Sequence, residues 1–295
     1  MTNRSPWIKL FLLVAASVLL WWQPLVSSYE LALSNEAYTH ILLILPLGMA
    51  LLYFKSREFS SAKEFPARLA ASYRSGGVLL FLAILLRIVT ARNLGAFSQS
   101  DNLSLSIFSL VICWIGVVII CFDFHTFQRL LFPVCFLFLL VPFPQRLLNP
   151  ITSFLQYQSA WGASVLFHLA RVPVTRDGVM LSIPGLDIEV ASECSSIRSS
   201  MMLIVITLVL AYLFLDSYWK RTLLVLVAIP LSVAKNAVRI FTIGELTTRV
   251  DPSFLTGRLH RQGGIVFLGF AVIVIVFLLW VLRNRDLRRP RSALV

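Results

Sequence analysis

The stretch Gly264–Leu282, GIVFLGFAVIVIVFLLWVL, carries no charged residue across 19 positions and ends on Arg283-Asn284-Arg285. As a helix rising about 1.5 Å per residue it covers roughly 28 Å, close to the ~30 Å hydrocarbon thickness of a bilayer. Working outward from it, further apolar runs fall near 7–26, 37–54, 77–91, 103–121, 127–141, 195–215 and 222–243. The whole chain agrees: of 295 residues, 58% are hydrophobic and 14% charged, where soluble domains run nearer half and a quarter. No globular interior holds that apolar surplus, so lipid must act as solvent. The expected fold is an all-α polytopic membrane protein of about eight transmembrane helices, a single integral-membrane domain over 1–295.

Two stretches depart from the apolar pattern. Residues 147–170 mix Thr152, Ser153, Gln156, Gln158 and Ser159 with Phe154, Leu155, Trp161, Leu166 and Phe167, which predicts an amphipathic helix at the interface or inside the bundle. Between 171 and 192, alternating Val179–Ile183 and Asp187–Val190 are punctuated by Asp177-Gly178 and Pro184-Gly185. That pattern predicts a small β-hairpin on the outer face. The basic N-terminus (Arg4, Lys9) leads into an apolar run without an evident small-residue cleavage site, so the run reads as a retained first span. The expected organisation is N-terminal spans over 7–141, the amphipathic helix and hairpin over 147–192, the chemistry-bearing spans over 193–282 and a basic tail over 283–295.

The net charge of +12 comes from 26 Lys+Arg against 14 Asp+Glu. With the N-terminus cytoplasmic and eight spans, 15 basic residues fall on inner segments and seven on outer ones. Four (Arg87, Arg198, Lys235 and Arg239) lie within spans, and nine of the 14 acids fall outside. This positive-inside bias predicts a multi-pass protein of the plasma (inner) membrane with both termini cytoplasmic. The basic excess is then a topology signal and a contact with anionic lipid; no nucleic-acid partner is expected.

Charges inside spans are costly and mark sites by default. Arg239 stands 18 residues beyond Arg221, about 27 Å along a helix and close to the outer interface. Lys235 and Asn236 share its helical face. A guanidinium snorkelling to outer headgroups satisfies this position equally well. Cys194 opens the sixth span, 22 residues before Asp216, and is therefore expected at the outer face. With Ser192 as cap it would lie in the first helical turn, where the helix N-terminus and Arg198 favour thiolate and Glu193 opposes it. Cys113, Cys121 and Cys135 sit among aliphatic and aromatic neighbours and read as packing residues. His260, just before Gly263-Gly264 and the last span, falls on the same face as Cys194 and Arg239. A thiolate nucleophile, an imidazole for proton transfer and a guanidinium for a developing oxyanion form a set suited to acyl transfer. The four histidines and four cysteines show no metal-ligand spacing and no glycine-rich phosphate loop occurs, so no metal or cofactor is expected. Arg87 finds no role at this level.

Glu193-Cys194-Ser195-Ser196-Ile197-Arg198-Ser199 resembles the E-C-S-G-I-R-S signature of the exosortase/archaeosortase family of integral-membrane cysteine transpeptidases. Pro173-Val174-Thr175-Arg176-Asp177-Gly178 is similar to the family's P-V-x-R-x-G hairpin, and Asn236-Ala237-Val238-Arg239 to its N-x-x-R pattern. His260 with Gly263-Gly264 resembles the motif that opens the last helix, and Tyr38-Thr39-His40 with Pro46 a Y-S-H segment. Ser196 stands where the family more often has glycine, and Thr39 where it has serine. The resemblance implies Cys194 as nucleophile, Arg239 as stabilising cation and His260 as general acid/base, with Glu193, Arg198, Asn236 and His40 in support. It also implies the substrates: secreted, membrane-anchored proteins ending in a short motif, a transmembrane helix and a basic cluster, of PEP-CTERM type. These would be cleaved through a thioester and passed to a lipid or glycan acceptor. The rival expectations are a polytopic transporter lined by Arg87, Lys235 and Arg239, and a non-catalytic component of exopolysaccharide export.

Overall fold

The computed structural model of the protein describes residues 5–59, 69–93, 95, 97–190, 197–255 and 258–287. The chain divides into two compact units, Met1–Leu148 and Asn149–Val295. Among the described residues six helices are long and apolar enough to cross a membrane, and two sharply bent helix pairs raise the number to eight if each is one span. The protein is thus an all-α, multi-pass membrane protein with one small sheet.

In the first unit the run expected as a continuous span over 7–26 is broken. Helix α1 (Ser5–Leu20) and α2 (Trp22–Ser34) meet at Trp21, and their axes differ by 73°. Pro24 supplies the reason: it has no N–H to give the Leu20 carbonyl four residues earlier, and its ring crowds that oxygen. The Leu20 carbonyl is instead met by Arg87, whose Nε donates to it at 3.3 Å from α4 (Leu69–Ala91). The intramembrane charge left without a role by the sequence therefore answers a backbone acceptor that a proline has freed.

The next helices are organised around α5 (Gln99–Arg129), two-thirds of whose apolar window is buried. The Trp21 indole donates to Ser109 Oγ and the Trp114 indole to Ser17 Oγ, both at 2.8 Å. Against α4 the backbones meet at glycines: a Cβ on Gly76 would lie 2.9 Å from the Gly116 carbonyl oxygen. Such small-residue contacts let membrane helices approach closely. The span expected over 127–141 is likewise not one helix. The Phe127 carbonyl accepts the Leu130 N–H at 2.9 Å in the turn that follows α5, Pro133 prevents continuation of α5 past Arg129, and α6 (Leu131–Phe136) passes into a 3-10 turn, Leu137–Leu140. After Val141-Pro142-Phe143-Pro144 the chain turns by 90° into α7 (Gln145–Leu169). The Tyr38 hydroxyl, ahead of α3 (Ile41–Phe59), donates to the Phe143 carbonyl at 2.9 Å and fixes this corner.

The second unit takes α7 from Asn149 onward. Leu155, Ser159, Ala160, Ala163 and Phe167 are buried, at helical spacing, while Phe154, Tyr157, Trp161, Val165 and Leu169 are exposed. The small and polar side is turned inward and the bulky apolar side outward, the reverse of a soluble helix and as lipid demands. The predicted hairpin is present and has a third strand: β1 (Thr175–Asp177), β2 (Met180–Ile183) and β3 (Leu186–Glu189) pair antiparallel in that order. Pro184-Gly185 makes the second turn, with Gly185 at φ +81°, the left-handed position that a type II turn reserves for glycine. Leu181 and Ile183 point inward, and Leu181 and Val190 join Ala160, Ala163, Ala237 and Ile240 in one core. A second core, from Leu203, Leu215, Leu224, Ala228, Ala271 and Ile275, binds α8 (Ile197–Phe214), α9 (Tyr218–Arg249) and α10 (Arg258–Leu287) together. Helix α9 thus packs on α8 and α10 along its first half and on α7 and the sheet along its second.

Candidate active site

The second half of α9 carries the polar groups. Lys235, Asn236 and Arg239 are 7%, 1% and 9% exposed, inside a helix long and apolar enough to cross a membrane. Burial decides a question that position left open: a guanidinium snorkelling to headgroups would be exposed, and Arg239 is not. Its helix also runs ten residues beyond it, to Arg249, so Arg239 does not sit at a helix end. The residues beside it on α9, Ala237 and Ile240, pack among small and aliphatic side chains. A Cβ on Gly162 of α7 would come within 2.8 Å of the Ala237 Cβ, and Ala237 and Ile240 share the core with the sheet. The close approach of α7 to α9 at Gly162 therefore falls on the very turn that bears Asn236 and Arg239.

Across from this turn lies the start of α8. Ser199 and Ser200 are buried in its first turn, whereas Arg198 is exposed. The Lys235 ammonium donates to the Ser199 hydroxyl. At the far end of the pair, Arg221 Nε donates to the Leu215 carbonyl at 2.7 Å, so α8 and α9 run antiparallel in a fixed register. Helix α10 is registered in the same way, by Lys220 Nζ donating to the Leu282 carbonyl at 3.0 Å. Counted back from that bond, His260 and Arg239 lie 22 and 19 residues on, in the same direction along antiparallel helices. Their backbones are thus about one turn apart in level. His260 falls in the first turn of α10, and its side chain lies outside the described residues. Cys194 and Glu193 also lie outside them; the last described residue before them, Val190, accepts a hydrogen bond from Gln156 Nε2 of α7 at 3.0 Å. Between α9 and α10 the Asp251 carboxylate accepts the Ser253 N–H at 2.7 Å, a bond that holds its carboxyl below the ordinary range.

His40, in the first unit, is 1% exposed. Its ring packs 6.4 Å from that of Phe143, at the corner fixed by Tyr38, and neither ring nitrogen makes a hydrogen bond of ordinary geometry among the described residues. The sequence placed Lys235 on the Arg239 face but gave it no part in the catalytic set. Its four-residue spacing from Arg239 announces a shared face, but its partner Ser199 is 36 positions away and becomes a neighbour only through the register of α8 on α9.

No curated protein and no solved structure matches the chain. A family model does, that of the transmembrane exosortase (Exosortase_EpsH), over residues 21–279. That match takes in α8, α9 with its buried cationic turn, and α10 as far as residue 279, and the chain belongs to the transmembrane exosortase family.

Proposed function

We propose that the protein is a membrane-embedded cysteine transpeptidase that removes the C-terminal sorting tail of secreted proteins and transfers them to an acceptor. The tail is a short motif followed by one transmembrane helix and a basic cluster. The observation that carries this reading is the buried Lys235-Asn236-Arg239 face of α9, bonded to the first turn of α8, in a chain of this family. From the Ser199–Lys235 bond, Ile197 at the start of α8 is two residues back along the chain and Arg239 four residues forward, in the same direction because the helices are antiparallel, and Cys194 precedes Ile197 by three residues in the sequence.

In the proposed reaction the Cys194 thiolate attacks the carbonyl carbon of the scissile peptide. The C–S bond forms and the carbonyl π pair moves to oxygen, where Arg239 stabilises the negative charge. As the tetrahedral species collapses, the C–N bond breaks and His260 protonates the departing amine, which leaves with the transmembrane tail. The thioester is then attacked by the acceptor's amine or hydroxyl, which loses its proton to His260 and displaces the thiolate. Glu193, Arg198 and Asn236 support this set. The positive-inside charge distribution supports a site on the outer face of the plasma membrane with both termini cytoplasmic.

The test is to co-express a tailed substrate with Cys194→Ala, Cys194→Ser, and a triple variant replacing Cys113, Cys121 and Cys135 by alanine. Processing by the triple variant and accumulation of uncut precursor with both Cys194 variants is the expected result. Maturation of the substrate by Cys194→Ala would show that no thioester at Cys194 is needed, and the transporter or export-component reading would replace this one.

A further inference from the structure

We propose that Lys235 is a positioning residue for acyl transfer: by holding Ser199 it fixes the first turn of α8, which begins three residues after Cys194 in the sequence, against the Arg239 level of α9. This rests on the cysteine-transpeptidase reading above. An ammonium buried to 7% exposure inside a span is expensive to desolvate. A second cation four residues away on the same helical face adds repulsion. Packing alone gives no reason for it, since a leucine or methionine at 235 would fill the space without either cost. What the ammonium supplies is a strong, directed hydrogen bond across the helix pair, to a hydroxyl in the first turn of α8.

Position sharpens the case. The α8–α9 pair is clamped at its other end by Arg221, which donates to the Leu215 carbonyl at 2.7 Å and to the Tyr212 carbonyl at 3.4 Å. Between the two ends the contact is aliphatic, through Leu203, Ala211, Leu224 and Ala228. The bond at Ser199 therefore pins the end of α8 that lies about 24 Å along the helix from the Arg221 clamp, where a first turn is otherwise free to tilt and fray. A nucleophile three residues before Ile197 inherits that setting, because three residues of chain reach no more than about 11 Å. Displacements of about 1 Å at a reacting centre cost on the order of 100-fold in rate. Arg198, the cation that sequence proximity would favour for this task, is exposed, and Lys235 reaches the turn from the buried side.

The experiment uses the full chain in proteoliposomes with a tailed substrate and compares Lys235→Met, Lys235→Arg, Ser199→Ala and the double variant Lys235→Met/Ser199→Ala, with Cys194→Ala as reference. Ser199→Ala removes only a hydroxyl from a first helical turn and is the variant least exposed to misfolding. The expected result is a fall in kcat of about 10- to 100-fold for Lys235→Met and for Ser199→Ala, with KM within about twofold. The double variant should lose no more than the worse single one, since both break the same bond. Lys235→Arg, which keeps a charged donor, should recover part of the rate. With the other three cysteines replaced, alkylation of Cys194 by iodoacetamide should change in the same variants. The proposal is overturned if neither single variant lowers kcat, if the two losses multiply in the double variant, or if the whole effect lies in KM. It is also overturned if melting temperature falls in step with activity and arginine rescues neither. Those outcomes leave the transpeptidase reading standing so long as Cys194→Ala is inactive. A processing-competent Cys194→Ala combined with a dead Ser199→Ala would overturn both, because the Ser199–Lys235 pair has itself the form of a nucleophile and its base.

Discussion

Each of the two units holds cations inside membrane-spanning helices, and the two cases differ in what the charge is for. In the first unit Arg87 faces the Leu20 carbonyl, an acceptor orphaned by Pro24. In the second, Lys235 and Arg239 are buried in α9 and Lys235 bonds a side chain of another helix. A charge inside a span is therefore not by itself a sign of a site. The backbone has to be accounted for first, because a proline in a lipid-facing segment leaves a carbonyl that no water can satisfy. Arg87 is explained once that carbonyl is counted. Lys235 and Arg239 are left over, and the polar chemistry of the second unit collects around them.

Replacement of Arg239 should produce the largest effect. Arg239→Lys keeps the positive charge but loses the planar fork, and kcat is expected to fall by 10²–10³, the usual consequence of removing an oxyanion donor. A kcat for tail processing within threefold of wild type would place Arg239 with Arg87, as a structural cation. Arg87→Met should do the opposite. Losing a charged donor from a carbonyl in lipid is expected to cost about 1.5–3 kcal/mol, read as a lower melting temperature in detergent, with kcat unchanged. Pro24→Ala in the Arg87→Met background supplies the missing N–H to Leu20 and should restore most of that loss. If Arg87→Met stops turnover while leaving the melting temperature in place, the contrast between the two units fails.

The same accounting explains how much could be read from the sequence. The apolar runs were legible because hydropathy needs only length, and six of them appear as continuous spans. The runs at 7–26 and 127–141 were misread as single helices, although Pro24, Pro133, Pro142 and Pro144 are plain in the sequence. A proline states that a carbonyl is freed, whereas the bend depends on which distant group answers it, Arg87 in one case and Tyr38 near the other. In the sheet, Asp177-Gly178 and Pro184-Gly185 announced the turns. Strand β1 was missed because Thr175-Arg176-Asp177 is three residues long and has no apolar alternation. At the site, the shared face of Lys235, Asn236 and Arg239 followed from helical spacing alone. The Ser199 partner did not, since inter-helix register is set by core packing and has no local signature. The assignment of Cys194 and His260 stays with the family motifs, their side chains lying outside the described residues.

The smallest predicted effect joins backbone packing to the cationic turn. Gly162 is the position where α7 presses on α9, and a Cβ there would meet the Ala237 Cβ at 2.8 Å, well inside ordinary carbon–carbon contact. Gly162→Ala should therefore push the helices apart by several tenths of an ångström, at a cost of about 1–2 kcal/mol, less than the loss of the Arg87 bond. Because Ala237 lies between Asn236 and Arg239, part of that shift is passed to the turn bearing them. A drop in kcat of about two- to fivefold should accompany the lower melting temperature. Ala237→Gly removes the opposing methyl at an expected helix-propensity cost of up to about 1 kcal/mol, so the double variant Gly162→Ala/Ala237→Gly should regain kcat while recovering stability only in part. A Gly162→Ala protein with normal melting temperature and normal turnover would show that α7 does not bear on this turn. The turn would then rest on the Lys235–Ser199 bond to α8 without help from α7.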